Sequence, residues 1–290
     1  MARNSKRSKL GAGLEDSTPA AADSVAAALE TGGLNFATPT EFVQLPSNGQ
    51  YYAENHPLHA QDTIEIKFMT AKEEDILSSK TLIKQGVAIE RLLKSVIVDK
   101  RINPDTLLSG DRNAILVAAR ITGYGPEYDT KITCPSCMTS GDHSFDLENV
   151  TVRTSEDVEN DDSYEITEDG TIVAVTPLTK IRVEMKMMTG KDENYLSRLI
   201  ESKRKKKLPE TTLTDTLKIL ITSLNGETSS DLINQFVKVV PARDSRFLRS
   251  VYEKASPNID MTQSFECESC GYATDMEVPF TPDFFWPNRS

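Results

Sequence analysis

From Thr63 to Met69 apolar and polar side chains alternate, the period of a half-buried strand. The pattern then changes at once. Thr70-Ala-Lys-Glu73 has capping-box spacing, in which a threonine and a glutamate satisfy free N–H groups of a first helical turn, so a helix is expected from there to about Ser79. Ile89, Leu92, Leu93 and Val96 fall at i, i+3, i+4 and i+7, one stripe of a second helix. Asn103-Pro104 predicts a short helical turn with proline at its first position. Asp111 caps a helix carrying Ile115, Leu116, Ala119 and Ile121, which Gly123-Tyr-Gly125 ends. Residues 128–132 read as a strand and 143–147 as its return. Upstream, residues 41–52 read as strand, turn, strand, because Asn48 and Gly49 both tolerate positive φ.

A related succession follows. Residues 172–175 and 180–187 have strand patterning with Pro177 between them, and Thr189-Gly-Lys-Asp192 repeats the capping spacing. Leu217, Leu220, Ile221 and Leu224 form a helical stripe, and Leu232, Phe236 and Val239 form the next. Asp244 starts a helix with Phe247, Leu248 and Val251, and residues 261–265 lead into Cys267. Ile64-Glu-Ile-Lys-Phe-Met-Thr-Ala-Lys-Glu-Glu-Asp-Ile-Leu77 resembles Val183-Glu-Met-Lys-Met-Met-Thr-Gly-Lys-Asp-Glu-Asn-Tyr-Leu196, 119 positions later (64 against 183). Each copy proceeds through helices and a strand to a C-x-x-C. The offset there is 133 (134 against 267), so the second copy holds 14 more residues (133 − 119). The expected fold class is α+β, in two related strand–helix halves produced by internal duplication. The expected divisions are an arm at 1–35, a first half at 36–150, a second at 151–280 and an aromatic tail at 281–290.

Those C-x-x-C pairs hold all four cysteines: Cys134-Pro-Ser-Cys137 and Cys267-Glu-Ser-Cys270. Such a turn points two sulfurs at one cation, and two turns complete a tetrahedral thiolate site. The expectation is one structural zinc ion held by Cys134, Cys137, Cys267 and Cys270, each half ending in one zinc knuckle. The competing reading is two disulfides or free thiols. No signal peptide is evident, which favours a reducing compartment and disfavours disulfides. Four thiolates leave no open position on the metal, so the site favours structure over catalysis.

Charge and composition narrow the function further. A formal net charge of −11 opposes a role in coating DNA, and no apolar run is long enough to span a bilayer. Residues 1–35 read as a flexible arm, with one short helix at 20–29 capped by Asp23. The acidic stretch 154–170 contains no Lys or Arg and reads as a solvated, mobile loop, since it lacks EF-hand spacing for calcium. His56 and His59 read as surface-loop residues and His143 as an exposed polar residue. Lys203-Arg-Lys-Lys-Lys207 reads as a solvated helix end or loop. Its functional alternative, with the two knuckles, is a zinc-ribbon nucleic-acid-binding module of a transcription or replication protein. No nucleophile elbow, phosphate loop, dinucleotide fingerprint or zinc-hydrolase helix occurs, so no catalytic residue and no small-molecule substrate are expected.

The chain ends in Val278-Pro-Phe-Thr-Pro-Asp-Phe-Phe-Trp-Pro-Asn-Arg-Ser290. Its prolines forbid a regular helix. Phe284, Phe285 and Trp286 therefore either fold back on the protein's own core or act as anchors in a partner's pocket. Together with Leu45-Pro-Ser-Asn-Gly-Gln-Tyr-Tyr52, Met69-Thr-Ala-Lys-Glu-Glu-Asp-Ile-Leu77, Leu107-Leu-Ser-Gly-Asp-Arg-Asn-Ala-Ile115 and Gly123-Tyr-Gly-Pro-Glu-Tyr128 ahead of the first cysteine pair, the Phe284-Phe-Trp-Pro287 tail resembles the baseplate hub subunits of T4-like contractile-tailed bacteriophages. The resemblance covers residues 36–290. It implies a non-enzymatic structural or assembly role, with other phage baseplate and hub proteins as partners. It also implies a place in the virion tail baseplate, or in the host cytoplasm during assembly. Zinc rests on the cysteine spacing and not on this resemblance.

Overall fold

The computed structural model describes residues 37–158, 162–279 and 282–285. The arm at 1–35, its expected helix and Trp286 lie outside them. Strand β1 (Thr40–Gln44) pairs antiparallel with β2 (Thr63–Lys67), Thr40 opposite Lys67 and Gln44 opposite Thr63. Helices α1 (Ala71–Ser78), α2 (Lys80–Gln85) and α3 (Ala88–Val96) follow, then a 3-10 turn at Pro104–Thr106 and α4 (Ser109–Tyr124). Strands β3 (Glu127–Thr133) and β4 (Ser140–Asp146) form a hairpin, and β5 (Thr151–Arg153) leads away from it. Next come β6 (Tyr164–Ile166), β7 (Ile172–Val175), β8 (Arg182–Met185), α5 (Gly190–Lys205), α6 (Thr212–Leu220), β9 (Ile221–Leu224), α7 (Ser230–Val239) and α8 (Ala242–Ala255). The chain closes with β10 (Asn258–Asp260), a hairpin of β11 (Thr262–Glu266) and β12 (Ala273–Glu277), and a 3-10 turn at Pro282–Phe285. Mixed helix and strand make this an α+β protein. Its largest sheet is antiparallel, in the order β6-β7-β8-β9.

Among the described residues, two apolar clusters hold the fold. One packs β7, β8 and β9 against α6, α7 and α8 through Ile172, Val183, Met185, Leu217, Leu248 and Val251. The other centres on Leu92 and Leu93 of α3 and Ile115 of α4, and takes in Tyr128 and Phe145 of the β3–β4 hairpin. It also takes in Ile259, Met261, Phe265 and Val278, so the C-terminal hairpin shares the core of the first segment and not of the segment it follows. The clusters thus divide the chain differently from the expected boundary at 151. Backbone proximity explains the return. β10 pairs with β5, and at Gly110 in α4 an added Cβ would lie 2.1 Å from the Pro257 carbonyl oxygen, so only glycine lets the returning chain approach this closely.

Both expected capping boxes form. In the first, Thr70 donates to Glu73 Oε2 from its backbone N at 3.0 Å and from its hydroxyl at 2.5 Å. In the second, Thr189 donates to Asp192 Oδ2 at 3.1 and 2.9 Å. Each carboxylate also receives a lysine from the end of the preceding strand or just past it, Lys67 of β2 at 3.1 Å and Lys186, the residue after β8, at 2.6 Å. Glu73 is fully buried and also accepts from Ser95 Oγ at 2.5 Å. Burial pushes its carboxyl up, but hydrogen bonds from Ser95, Thr70 and Lys67 outweigh that and hold it at about 2, against an ordinary 4.5. A depressed carboxylate contributes stability that is complete above its ordinary value and lost as pH falls from there towards 2. Glu73→Gln is therefore expected to be less stable than wild type at pH 7 and to lose less stability between pH 5 and 2. Urea titrations at several pH values check this, and parallel acid limbs would contradict it.

The structure departs from the sequence pattern in four places. Asn48 and Gly49 do adopt positive φ, 48° and 69°, but the chain does not return as a hairpin. The partner of β1 is β2, and residues 45–62 form a wide loop whose Leu58 oxygen would lie 2.4 Å from a Cβ at Gly49. Ile221 and Leu224, expected on a helix, belong to strand β9, where they pair with Met185 and Val183. On α7 the buried stripe is Ile233, Phe236 and Val237, leaving Leu232 40% and Val239 78% exposed. Residues 164–166 of the expected acidic loop are strand β6, at the edge of the four-stranded sheet.

Candidate metal centre

Each cysteine pair sits at the tip of a β-hairpin, and the two tips have the same backbone geometry. In the first, Cys134 N donates to Thr139 O at 2.9 Å and Met138 N donates to Cys134 O at 2.9 Å. In the second, Cys267 N donates to Tyr272 O at 2.9 Å and Gly271 N to Cys267 O at 2.8 Å. The fifth residue of each turn is left-handed, Met138 at φ 60° and Gly271 at φ 69°. Such turns leave both sulfurs of a pair on one side.

The two tips face each other. Cys134 Sγ lies 3.8 Å from Cys270 Sγ, and Cys137 Sγ lies 3.8 Å from Cys267 Sγ. All four sulfurs fall within 4.8 Å of one another. A tetrahedral metal with Zn–S bonds of about 2.3 Å requires sulfur–sulfur edges of about 3.8 Å. A disulfide requires a bond of about 2.05 Å, and all four cysteines are free. The four thiols could therefore hold one metal ion. Cys134 and Cys267 are buried in the cluster around Leu92, Leu93 and Ile115, while Cys137 and Cys270 are solvent-exposed.

The two exposed thiols are shifted in opposite directions. Hydrogen bonds from the Thr139 side chain and backbone bring Cys137 down to about 6. A backbone hydrogen bond with Tyr272 favours the Cys270 thiolate, but burial and the three neighbouring thiols outweigh it and push Cys270 up to about 12. Four thiolates this close repel one another, and a dication removes that repulsion.

Gln263, which the sequence did not mark, and His143 dock the two hairpins. The Gln263 side chain of β11 accepts from Asp146 N at 3.2 Å and donates to Asp146 O at 2.7 Å. His143, expected as an exposed polar residue, is only partly exposed. Its ring stacks edge-on against Phe145 at 4.5 Å and against Phe265 of the other hairpin at 5.2 Å. It is a wedge between the hairpins. Alternation along β4 and β11 places both residues on defined faces, but their mutual contact depends on pairing between distant segments.

The other singled-out residues lie elsewhere. His56 stacks on Tyr52 at 4.4 Å and its Nε2 lies 2.8 Å from Thr106 Oγ1, while His59 Nδ1 lies 2.7 Å from Tyr52 O. Both pin the 45–62 loop. In the basic run, Lys203 pairs with Asp215 and Lys205 with Glu201 at 2.7 Å, so the run is partly neutralised at the C-terminal end of α5. Phe284 and Phe285 are 0% and 2% exposed. Phe284 meets Tyr128 edge-on at 5.2 Å, and its carbonyl accepts from Arg120 Nε at 2.8 Å. These two side chains, candidates for anchors in a partner, are folded into the protein's own core, because burying both rings there also satisfies a buried guanidinium. No helix among the described residues is long and apolar enough to cross a membrane.

A family model described as T4 bacteriophage base plate protein matches residues 38–286, the cysteine pairs and both apolar clusters included. No curated protein and no solved structure matches the chain.

Proposed function

Because the chain belongs to the T4 bacteriophage base plate protein family, we propose that it is a baseplate hub subunit or hub assembly factor, non-enzymatic, acting through contacts with other baseplate proteins. The single observation carrying this reading is the family match over 249 residues (38–286). Its place is the virion tail or, during assembly, the host cytoplasm.

In this reading the four thiols hold zinc, with Cys134, Cys137, Cys267 and Cys270 as ligands. When bound, the ion supplies a closed cross-link between the two hairpins and no reactive position. The sulfur spacing supports zinc, and so does the partition of the ligands into two turns of one geometry. We also read the chain as an internal duplication. Support comes from the paired capping boxes, the paired lysine contacts and the paired knuckles. Asp111 and Asp244 add to it, 133 positions apart like the cysteines: each is buried in the first turn of a helix and accepts from a turn that follows a strand. Partner contact through the tail is proposed for Trp286, next to the buried Phe284–Phe285 pair.

Infection with a phage carrying a nonsense mutation in this gene tests the role. The expected result is loss of complete contractile tails, restored by a wild-type copy supplied in trans and restored less well by Trp286→Ala. Complete, infectious tails in the absence of the protein would overturn the assignment.

A further inference from the structure

A groove of about 620 Å³ opens beside the N-terminal end of β1, where Thr40 lines it. Lys67, Lys72, Arg91, Lys94 and Lys100 surround it over an apolar floor of Ile76 and Val98, and among the described residues no acidic one lines it. Lys67 forms an ion pair with the buried Glu73, whose charge also reaches Lys100, and among the described residues Lys72, Arg91 and Lys94 form no ion pair. Lys100 is fixed in place by the carbonyls at the end of α3, with its Nζ 3.0 Å from Lys94 O and 2.5 Å from Ile97 O. Five cations against the one carboxylate of Glu73 make this a local excess of positive charge in a chain of net charge −11.

The other end of the same strand has the opposite sign. Gln44 lines a second groove with Asp62, Glu156 and Asp157, and Glu168 lines the space beside it with Gln50 and Tyr51. At about 3.4 Å per residue, the two ends of β1 lie roughly 14 Å apart. The protein is therefore electrically polarised along β1.

We propose that the basic groove is the docking site for a second copy of this chain, whose acidic rim of Asp62, Glu156 and Glu168 seats in it head to tail. Both complementary surfaces are carried by the one chain. Nucleic acid fits the groove poorly. Among the described residues its lining offers no aromatic ring for a base to stack on. Four of the five cations are lysines, which lack the guanidinium fork that grips phosphate. The negative charge of the whole chain repels a long polyanion. A contact between two different patches is heterologous, so it closes into a ring or extends as a chain of copies. This inference goes beyond the baseplate reading and does not depend on it.

Sedimentation velocity on the purified full-length protein tests it, over a concentration series at low and high sodium chloride. The expected result is concentration-dependent growth at 50 mM salt and a monomer at 500 mM, where screening acts over only a few ångströms. Lys72, Arg91 and Lys94 are exposed, as are Asp62, Glu156 and Glu168, so charge reversal leaves the fold intact. The triple variants K72E/R91E/K94E and D62K/E156K/E168K are each expected to self-associate at least tenfold more weakly. Mixing the two reversed variants restores a salt-sensitive complex. A wild-type monomer under all conditions, or association that survives groove reversal, would overturn the proposal. Binding of a DNA oligonucleotide that K72E/R91E/K94E abolishes would reassign the groove to nucleic acid and overturn it as well.

Discussion

Serine at both Cys137 and Cys270 is expected to leave a chain that retains no zinc and unfolds well below the wild-type temperature. These are the exposed members of the four-cysteine cluster, and oxygen in place of sulfur opens no cavity there. What is lost is the link between two hairpins 133 positions apart. A structural zinc site contributes on the order of 10 kcal/mol in small peptides that fold only with metal. Here both hairpins also pack on a formed core, so a smaller share depends on the ion. Half of that magnitude, at about 2–4 °C per kcal/mol for a chain of this size, lowers the melting temperature by roughly 10–20 °C. Calorimetry with and without a chelator checks this. Chelation should lower the wild-type transition towards that of the double variant and leave the variant unmoved. A double variant that melts with the wild type would remove the staple from the account.

Asp111→Ala is expected to destabilise the protein by about 3–5 kcal/mol, the size reached when a buried hydrogen-bond network loses its centre. Asp111 is 0% exposed, and burial pushes its carboxyl above the usual range despite its hydrogen bonds. Its oxygens accept from Ser47 N at 2.9 Å, Ser47 Oγ at 2.6 Å and Tyr52 OH at 2.8 Å. The Tyr52 hydroxyl in turn accepts from Leu108 N at 3.0 Å, just before α4. One side chain therefore ties the 45–62 loop to the start of the central helix. Truncation strands three donors in a buried site. Urea unfolding of the variant checks this, and a loss under about 1 kcal/mol would show that the loop stands without it.

Local chemistry was legible in the sequence, and pairing at a distance was not. The capping boxes at Thr70 and Thr189 are complete within four residues, and the structure forms both. C-x-x-C spacing fixes two sulfurs per turn, and the structure brings both turns to one point. Asn48-Gly49 also keeps its turn conformation, but its geometry does not choose a strand partner. That choice lay with Ile64 and Ile66, which bury against the core only when β2 lies beside β1. The run Leu217, Leu220, Ile221, Leu224 has helical spacing, yet the helix stops at Leu220 because the sheet takes Ile221 and Leu224 as its fourth strand. On α7 the two possible stripes share Phe236, and packing against the sheet of β7, β8 and β9 selected Ile233 and Val237 over Leu232 and Val239. The basic groove draws Lys67, Lys72, Arg91, Lys94 and Lys100 from a strand, two helices and a loop. No run of charge announced it.

The central claim is that two cysteine pairs on separate hairpins form one site. Its most direct test is the metal content of the purified wild-type protein, measured by elemental mass spectrometry after dialysis. One zinc per chain, falling to none when either pair alone is replaced by serine, is the result this account predicts. Two ions per chain, or an ion retained after loss of one pair, would contradict it.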